Sequence, residues 1–552
     1  MKVSEYVAHY LKDNGIRQCF SVTGGFAMHL NDSFGSTLDV LYQHGENPCG
    51  YSAIGYSKIN TCPSVVCVTA GCGATNAVTP CMIAYQDSVP VFFISGAVPS
   101  KENLRHLEHS TRTYSGSDCD IIDMVKHITK FSYEITEPSE LKSVLSRCVW
   151  KLTSGRPGPV WLSIPLDIQS KEVPDQPDSW EPPVFNFTEK FPVDLWEEAK
   201  RPVIIAGNGI HLSKTEDAFS TFVKKHSVPV ISTYFGTDLV PEFNIGRVGV
   251  IGDRAGNFTV QNADLVLALG VNMSKSVTGY RSDWFARGAK VVSVNIENVH
   301  FGDVVHMDLK NFFDIDLPVK NSVSWLEKTR EWKAMWSGEL PNPLQNNCPY
   351  TQLNEFYKLK PPGGVCVASA GSIFCVNWHQ FLCKDDDRFV VSSHGDMGFE
   401  VPCAIGCALA SRKTVYCVVG DGSFQFNMQE LQTIKTLNLP VKILYFNNGG
   451  YGAIQVTQDS YFKRRFGVEV ACPDVRKVCE VYDIPYFTDV NAMITHDGPC
   501  LLEFHCIVQQ RHPRLSNQMK PDGTFDNRPF EDMYPFLDRE TFRVNMVNKD
   551  FT

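Results

Sequence analysis

The sequence lacks the excess of basic residues that a nucleic-acid-binding or anionic-membrane protein usually carries. Its 51 Lys and Arg residues are outnumbered by 61 Asp and Glu residues, which gives a formal net charge of -10. No nucleic acid and no membrane are therefore expected as partners. Signs of disorder are missing as well, because 43% hydrophobic and 20% charged residues are ordinary for a globular protein.

An apolar leader and paired cysteine motifs are also missing. Residues 1–20 contain five charged side chains and no apolar core of a signal peptide. The 19 cysteines include no Cys-x-x-Cys spacing with a matching partner, which argues against a structural zinc site. They lie singly in apolar runs, as small buried hydrophobes do. We therefore expect reduced thiols and a cytoplasmic protein.

The long uncharged stretch of residues 59–86 is not expected to cross a membrane. Pro63, Gly71, Gly73 and Pro80 interrupt it, and a broken helix in lipid would leave backbone groups without hydrogen-bond partners. We predict a strand, a glycine-rich turn and a helix inside a protein core.

The hydrophobic pattern predicts three α/β domains with doubly wound parallel sheets. A chain of 552 residues is too long for one core. Short runs that are apolar on both faces alternate with segments of helical periodicity, which indicates parallel strands covered by helices. The predicted strands are residues 18–23, 65–69, 89–95, 160–164, 203–206, 228–231, 265–269, 291–294, 389–392, 415–419, 441–446 and 501–504.

Irregular stretches at residues 171–192 and 341–362 separate the predicted domains. The organisation that we predict is an N-terminal domain of residues 1–170, a linker of residues 171–192, a central domain of residues 193–325, a linker of residues 326–360 and a C-terminal domain of residues 361–552.

The most specific chemical signal lies in the C-terminal domain. The strand of residues 415–419 ends in Gly420-Asp421-Gly422, a helix-like segment follows over residues 426–437, and the next strand ends in Asn447-Asn448. Consecutive strands of a crossover run parallel, so both ends should meet at one sheet edge. The Asp421 carboxylate, the Asn448 amide and a carbonyl such as that of Gly450 are oxygen ligands suited to Mg²⁺. Gly-Asp-Gly alone also occurs in plain strand–helix turns, so the tripeptide by itself leaves both interpretations open.

The wider sequence resembles the thiamine-diphosphate-dependent enzymes of the acetolactate synthase-like group. Gly-Asp-Gly followed after 24 residues by Asn-Asn is the cofactor signature of that family. The resemblance extends over nearly the whole chain, in the family's order, through the segments TAGCGATN (69–76), SGRPGPVWLSIPLDIQ (154–169), KRPVIIAGNGI (200–210), GDMGFEVPCAIG (395–406), GDGSFQFNMQELQT (420–433) and LPVKILYFNNGGYG (439–452).

The resemblance implies an enzyme with pyrimidine-binding, central and diphosphate-binding domains. It implies thiamine diphosphate and Mg²⁺ as cofactors and a transferase or lyase that joins or cleaves a C–C bond next to a carbonyl. The substrates implied are a 2-oxo acid donor and a carbonyl acceptor. The assembly implied is a homodimer or homotetramer, with each cofactor held between the first domain of one chain and the third domain of its partner.

The resemblance also implies the site residues. Glu46, before Gly55-Tyr56, stands where the family has the catalytic carboxyl group that controls protons on the cofactor's aminopyrimidine ring. Without that context, a Glu near a strand end is usually a solvated surface residue. The implied cofactor contacts are Gly371, Ser372, Gly395, Met397 (beneath the cofactor), Gly420, Asp421, Gly422, Ser423, Asn448, Gly450 and Tyr451; the implied metal ligands are Asp421, Asn448 and Gly450. The implied substrate residues are Gly25, Phe26, His29 and Thr457, although a structural role for His29 fits equally well.

Departures from the family pattern indicate a rebuilt substrate pocket. Residues 271–275 replace the Arg-Phe-Asp-Asp-Arg stretch that grips FAD, which makes a bound FAD doubtful. Thr457 stands where acetolactate synthases have a tryptophan, and Glu400 stands where a glycine is usual. Ser369-Ala370-Gly371 replaces Asp-Val-Gly, and Ser117-Asp118 replaces Gln-Glu.

Three alternatives stay open at this point. Residues 513–542 resemble the ending of acetolactate synthase-like proteins found with bacterial surface-polysaccharide genes, and Arg511, His512 and Arg514 precede or begin it. A carboligase acting on a nucleotide-sugar carbonyl acceptor is therefore the first alternative. The others are a flavin-dependent enzyme like pyruvate oxidase and a non-catalytic paralogue.

Overall fold

Three sheets of six strands each organise the chain, and every strand pairing within them is parallel. This confirms the predicted α/β class. The computed structural model describes residues 1–109, 111–174, 180–183, 187, 189–336, 347–506, 517–520, 522–533 and 535–547.

The first sheet has the order β2-β1-β3-β4-β6-β5. Its strands are β1 (Gln18–Ser21), β2 (Asp39–Tyr42), β3 (Ser64–Val68), β4 (Val91–Ala97), β5 (Phe131–Glu134) and β6 (Val160–Pro165). The helices of this domain are α1 (Val3–Asp13), α2 (Met28–Thr37), α3 (Glu46–Asn60), α4 (Cys72–Asn76), α5 (Val78–Gln86), α6 (Ile121–Val125), α7 (Leu141–Thr153) and α8 (Leu166–Gln169).

The second sheet has the order β12-β11-β10-β7-β8-β9. Its strands are β7 (Pro202–Ala206), β8 (Val230–Ser232), β9 (Asn244–Arg247), β10 (Leu265–Leu269), β11 (Lys290–Asn295) and β12 (Asp303–His306). The helices are α9 (Val193–Glu198), α10 (Gly209–Leu212), α11 (Glu216–His226), α12 (Arg254–Gln261), α13 (Lys275–Thr278), α14 (Leu309–Phe313) and α15 (Val323–Trp336).

The third sheet has the order β14-β13-β15-β16-β18-β17. Its strands are β13 (Val365–Ala368), β14 (Arg388–Val391), β15 (Val415–Gly420), β16 (Val441–Asn447), β17 (Tyr486–Phe487) and β18 (Cys500–His505). The helices are α16 (Pro349–Leu359), α17 (Gly371–Gln380), α18 (Glu400–Ser411), α19 (Asp421–Phe424), α20 (Leu431–Thr436), α21 (Gly452–Tyr461), α22 (Val475–Tyr482) and α23 (Val490–Thr495).

The C-terminal tail returns to the central domain. It contains the antiparallel pair β19 (Asn517–Met519) and β20 (Phe525–Asn527) and the helix α24 (Arg539–Asn545). Phe530, Phe542 and Met546 are buried in the same apolar cluster as Phe258 and Trp332 of the central domain. The Gln261 side chain donates to Glu531 at 2.7 Å, and Trp332 donates its ring N–H to Asn545 at 2.8 Å.

Burial on both faces explains why the central strands were predictable. Every residue of β3, β4 and β10 is buried, because helices cover both sides of each parallel sheet. The uncharged stretch of residues 59–86 contains the end of α3 and then β3, α4 and α5. The predicted strand and the predicted final helix are confirmed, whereas the predicted glycine turn is followed at once by the short helix α4. Within the described parts of the chain, no helix combines the length and apolar character needed to cross a membrane.

Two secondary-structure predictions were wrong. Residues 426–437 are not one helix, since a 3-10 turn at Met428–Glu430 precedes the short α20. Asn427 causes the break: its side chain donates to the carbonyl of Gly398 at 2.7 Å, and its backbone leaves the helical region. The stretch of residues 341–362 is not wholly irregular either, because α16 lies in it and buries Leu353 and Phe356.

Helices α3 and α18 join the first domain to the third through paired glycines. A Cβ atom added at Gly55 would lie 2.2 Å from the carbonyl oxygen of Cys403, and one added at Gly406 would lie 1.9 Å from that of Ser52. Only glycine allows this approach of two helix backbones. Gly55, the later residue in α3, faces Cys403, the earlier residue in α18, and Ser52 faces Gly406. The two helices therefore run in opposite directions.

Candidate cofactor and active site

Asp421 lies at the end of β15 and holds the loop that follows β16. Its Oδ2 accepts the backbone N–H groups of Asn448, Gly449 and Gly450 at 3.1, 2.7 and 3.0 Å. Its Oδ1 accepts the N–H of Gly422 at 2.7 Å. Burial raises the pKa of this carboxyl group, while the same backbone N–H groups lower it. The structure thus brings together the two strand ends that the sequence placed at one edge.

The side chain of Asn448 completes an oxygen-rich site. One end of its amide lies 3.2 Å from Asp421 Oδ1 and 2.6 Å from the carbonyl oxygen of Gly450. With the amide nitrogen at that end, it donates to both oxygens. Carboxylate, side-chain amide and backbone carbonyl oxygens are ligands of hard divalent cations, so the residue types that meet here fit Mg²⁺. Among the described residues, no group of three or more His, Cys, Asp or Glu side chains offers a different metal site.

Glycines shape the segments around this loop. A Cβ atom at Gly422 would lie 2.6 Å from Tyr451 Cε1 and 3.4 Å from Met397 Cε, so only glycine keeps the Tyr451 and Met397 side chains in place. Gly420 precedes the first helical residue after β15, and Gly371 begins α17. The backbone N–H groups of such helix starts favour negative charge.

Two buried polar atoms near these segments have no protein partner. The hydroxyl of Ser369 and Oδ2 of Asp396 are buried and make no hydrogen bond. Ser369 lies just before Gly371 and Ser372, and its carbonyl oxygen lies 3.8 Å from the Cβ position of Gly395. Asp396 stands between Gly395 and Met397 in the chain and accepts the Ser392 hydroxyl at 2.7 Å. Buried polar atoms are normally satisfied, so both agree with a site built to receive a polar ligand.

Glu46 is the first residue of α3, four residues after β2 ends. Its Oε2 accepts the side-chain N–H of Asn76, the last residue of α4, at 3.1 Å. A Cβ atom at Gly73 would lie 3.3 Å from Glu46 Oε1 and 2.7 Å from Thr69 Cγ2, so this glycine leaves space for the carboxylate. Asn76 was not predicted as a site residue, although the segment TAGCGATN ends in it.

The predicted substrate residues of the first domain lie at the start of α2, and Thr69 connects them to the glycine that faces Glu46. Gly25 begins a 3-10 turn that Phe26 and Ala27 continue. The N–H of Phe26 donates to the Thr69 hydroxyl at 3.2 Å, and Gln169 donates to the Phe26 carbonyl at 2.7 Å. His29 follows in α2 and is partly exposed.

Thr457 belongs to the third domain and is exposed on α21, where its hydroxyl donates to the carbonyl of Ala453 at 3.0 Å. The basic residues Arg511, His512 and Arg514 lie outside the described residues.

Within one chain the first and third domains pack together through α3 and α18, and further hydrogen bonds link the two domains near the candidate residues. Asn427 donates to Asn47 at 3.3 Å, and Glu430 accepts the backbone N–H of His44 at 3.0 Å. Across the described parts of the chain, the carboxylate of Glu46 bonds to Asn76 and to no residue of the third domain. Among the described residues, no hydrogen bond therefore links the catalytic candidate directly to the metal candidate within one protomer.

Comparison with known families identifies the class of protein to which these residues belong. The family descriptions "Thiamine pyrophosphate enzyme, N-terminal TPP binding domain", "central domain" and "C-terminal TPP binding domain" match residues 1–116, 192–321 and 370–504 in that order. This chain belongs to the thiamine pyrophosphate enzymes. Thiamine pyrophosphate is the compound called thiamine diphosphate above, so the predicted family and enzyme class are confirmed.

Similar proteins place this thiamine pyrophosphate enzyme beside the acetolactate synthases. The acetolactate synthase large subunit of Buchnera aphidicola subsp. Acyrthosiphon pisum is 31% identical over 517 residues, which cover 87% of this chain and 88% of that protein. The large subunit of Lactococcus lactis subsp. lactis is 29% identical over 543 residues, with 91% and 92% covered. Acetolactate synthase isozyme 2 large subunit of Escherichia coli K12 is 28% identical over 533 residues, with 91% and 95% covered.

Proposed function

We propose that this enzyme decarboxylates a 2-oxo acid and joins the remaining fragment to a carbonyl acceptor, using thiamine diphosphate and Mg²⁺. The observation that carries the proposal is the close approach of the Asp421 carboxylate, the Asn448 amide and the Gly450 carbonyl, next to Gly420 and Gly422. This donor set suits Mg²⁺ bridged to a diphosphate. The named relatives are synthases that make a carbon–carbon bond, which supports the same reaction class here.

The residues of the chain divide the work between binding and proton control. Asp421, Asn448 and Gly450 would hold the metal, and the N–H groups at the starts of α17 and α19 would face the diphosphate. Bound thiamine diphosphate supplies the electron sink of the reaction. Glu46 would accept and return a proton at the aminopyrimidine ring, and its bond from Asn76 orients the carboxylate.

The complete site is proposed to form between two chains. Glu46 and Asp421 lie in different domains, and the hydrogen bond of the Glu46 carboxylate stays within the first domain, where Asn76 donates to it. The family resemblance implies a cofactor held between the first domain of one chain and the third domain of its partner. A homodimer that pairs the first domain of one chain with the third domain of its partner supplies both halves twice. A homotetramer would contain two such pairs.

Flavin is not part of the proposal. Residues 271–275 lack the arginines and aspartates with which relatives grip FAD. Gly270, which precedes this stretch, packs directly against Gly209: a Cβ atom at Gly209 would lie 2.5 Å from Gly270 Cα. We therefore propose a colourless enzyme whose activity needs only thiamine diphosphate and the metal.

The direct test is to incubate the purified enzyme with thiamine diphosphate, Mg²⁺ and a series of 2-oxo acids, while CO₂ release and condensation products are measured. Cofactor-dependent CO₂ release with a new carbon–carbon bond in the product is expected. The Asp421→Ala variant is the matched negative control. CO₂ release without a condensation product, or no CO₂ release from any 2-oxo acid, would point to another reaction class. A yellow, flavin-dependent preparation would favour an oxidase.

A further inference from the structure

Glu400 is a fully buried carboxylate on a position where relatives usually have glycine. It is the first residue of α18 and has no exposed surface. Its Oε1 accepts the backbone N–H of Ala370 at 2.8 Å, and its Oε2 accepts the hydroxyl of Ser423 at 2.7 Å. Both donors lie in segments that were predicted to bind the cofactor.

The same hydrogen-bond chain reaches the segment that carries Met397. The Ser423 hydroxyl accepts the N–H of Gly398 at 2.8 Å. The carbonyl of Gly398 in turn accepts the side chain of Asn427 at 2.7 Å. One carboxylate therefore connects the segment before α17, the turn after Met397 and the segment after Asp421.

The buried Glu400 carboxyl group is not part of an ion pair within the part of the chain that the structure describes. Among the described residues, no Lys, Arg or His forms an ion pair with it. Burial raises the pKa of Glu400 to about 7, against the opposing effect of its two hydrogen-bond donors, and the carboxyl group of Asp396 raises it further. A buried acid without a cation is destabilising unless other groups compensate. Here the Ser423 hydroxyl and the backbone N–H groups of Ala370 and of Glu400 itself do so.

We propose that Glu400 is a positioning residue, which locks the three cofactor-binding segments into one arrangement and directs the hydroxyl proton of Ser423 toward protein instead of the diphosphate. The inference rests on the proposed cofactor. With its hydroxyl engaged by Glu400 and Gly398, Ser423 would offer only its backbone N–H to a bound diphosphate. Met397 keeps its place because both polar groups of the next residue, Gly398, are held.

A double-mutant cycle on cofactor affinity tests this directly. We expect Glu400→Ala to weaken thiamine diphosphate binding by about 10- to 100-fold at saturating Mg²⁺, since it leaves two buried donors without an acceptor. Glu400→Gln keeps one acceptor and should lose about 10-fold. Ser423→Ala should also lose about 10-fold, and the Glu400→Ala, Ser423→Ala double variant should bind no worse than Glu400→Ala, because both residues act through one link.

Calorimetry with thiamine diphosphate and Mg²⁺ gives the affinities, and thermal unfolding of the cofactor-free proteins separates a general loss of stability. Glu531→Gln is the control for a buried carboxyl group remote from the candidate site. Glu531 accepts from Gln261 and pairs with Arg287 of the central domain, so its loss should lower stability and leave cofactor affinity unchanged.

The outcomes separate this inference from the proposed function. If the wild-type protein binds thiamine diphosphate and Asp421→Ala does not, the cofactor is established independently of Glu400. Wild-type affinity in the Glu400 variants, or strictly additive losses in the cycle, would then overturn the positioning role alone. Failure of the wild-type protein to bind the cofactor would overturn both.

Discussion

The carboxylate of Asp421 accepts the backbone N–H of Gly449 at 2.7 Å, across the gap between the ends of β15 and β16. The residue that would bind the metal therefore also shapes the loop that supplies the other ligands. A change at Asp421 should act on the metal and on the loop at once.

Asp421→Asn should abolish tight cofactor binding. The amide removes the negative charge at the metal and places an N–H₂ group against backbone donors, so thiamine diphosphate affinity at saturating Mg²⁺ should fall at least about 100-fold. Calorimetry measures this. Asp386→Asn, which alters an exposed carboxylate paired with Lys413, is the control and should bind normally. Unchanged affinity in Asp421→Asn would place the metal elsewhere.

Glu46→Gln should retain the cofactor and slow its activation. Exchange of the thiazolium proton with solvent should fall by about 10²–10⁴-fold, the usual contribution of a general acid–base group. Quenched-flow exchange read by NMR measures the rate. Asn76→Ala removes only the orienting hydrogen bond and should have a smaller effect. Wild-type exchange in Glu46→Gln would assign the catalytic carboxylate to another residue.

Mixing two inactive variants should restore activity. If sites form between chains, a heterodimer of Glu46→Gln and Asp421→Ala contains one site with both residues intact, so about a quarter of wild-type activity is expected after random exchange. Mass spectrometry of tagged chains confirms the exchange. Complete inactivity in a verified heterodimer would mean that each site uses residues of one chain.

Thr457→Trp should narrow the choice of acceptor. Wild-type enzyme is expected to make acetolactate slowly from pyruvate alone and to react faster with a bulkier carbonyl acceptor such as a nucleotide-linked keto-sugar. An indole on the exposed face of α21 should reduce use of the bulky acceptor by roughly tenfold or more relative to pyruvate, because it fills space that the small Thr457 leaves open. Initial rates with paired acceptors test this. Rapid acetolactate synthesis by the wild-type enzyme, with no gain from a larger acceptor, would contradict it.

Stability of the central domain should fall with acid through His226. Burial lowers the pKa of His226 to about 4 from an ordinary 6.5, and its Nδ1 accepts the N–H of Lys320. Between those pH values the unfolded chain binds more protons than the folded one. The contribution of neutral His226 to the free energy of unfolding is therefore complete above about pH 6.5 and is lost as the pH falls. At pH 5 the loss is about 2 kcal/mol. Denaturant unfolding of wild type and His226→Gln at pH 5 and 7.5 should show this difference in wild type only; equal pH dependence would refute it.

Prediction from sequence succeeded where the physical signal was local or repeated. Strands such as β15 are apolar on both faces, and the crossover rule placed Asp421 beside Asn448 without any knowledge of the structure. The strand β2, which precedes Glu46, was missed because it lies at a sheet edge and none of its residues is fully buried. The partners of Glu400 were beyond reach because Ser423 and Ala370 lie in other loops, and only an unusual residue in a familiar motif marked the position.

The return of the tail gives the central and third domains a second connection, in addition to the chain between α15 and α16. The chain passes from α15 into the third domain and comes back to lay Phe542 beside Phe258 and Asn545 against Trp332. A single backbone cut between α15 and α16 would therefore leave the two domains held together by the contacts of the tail, whereas removal of α24 would expose the aromatic side chains of Phe258 and Trp332 to solvent.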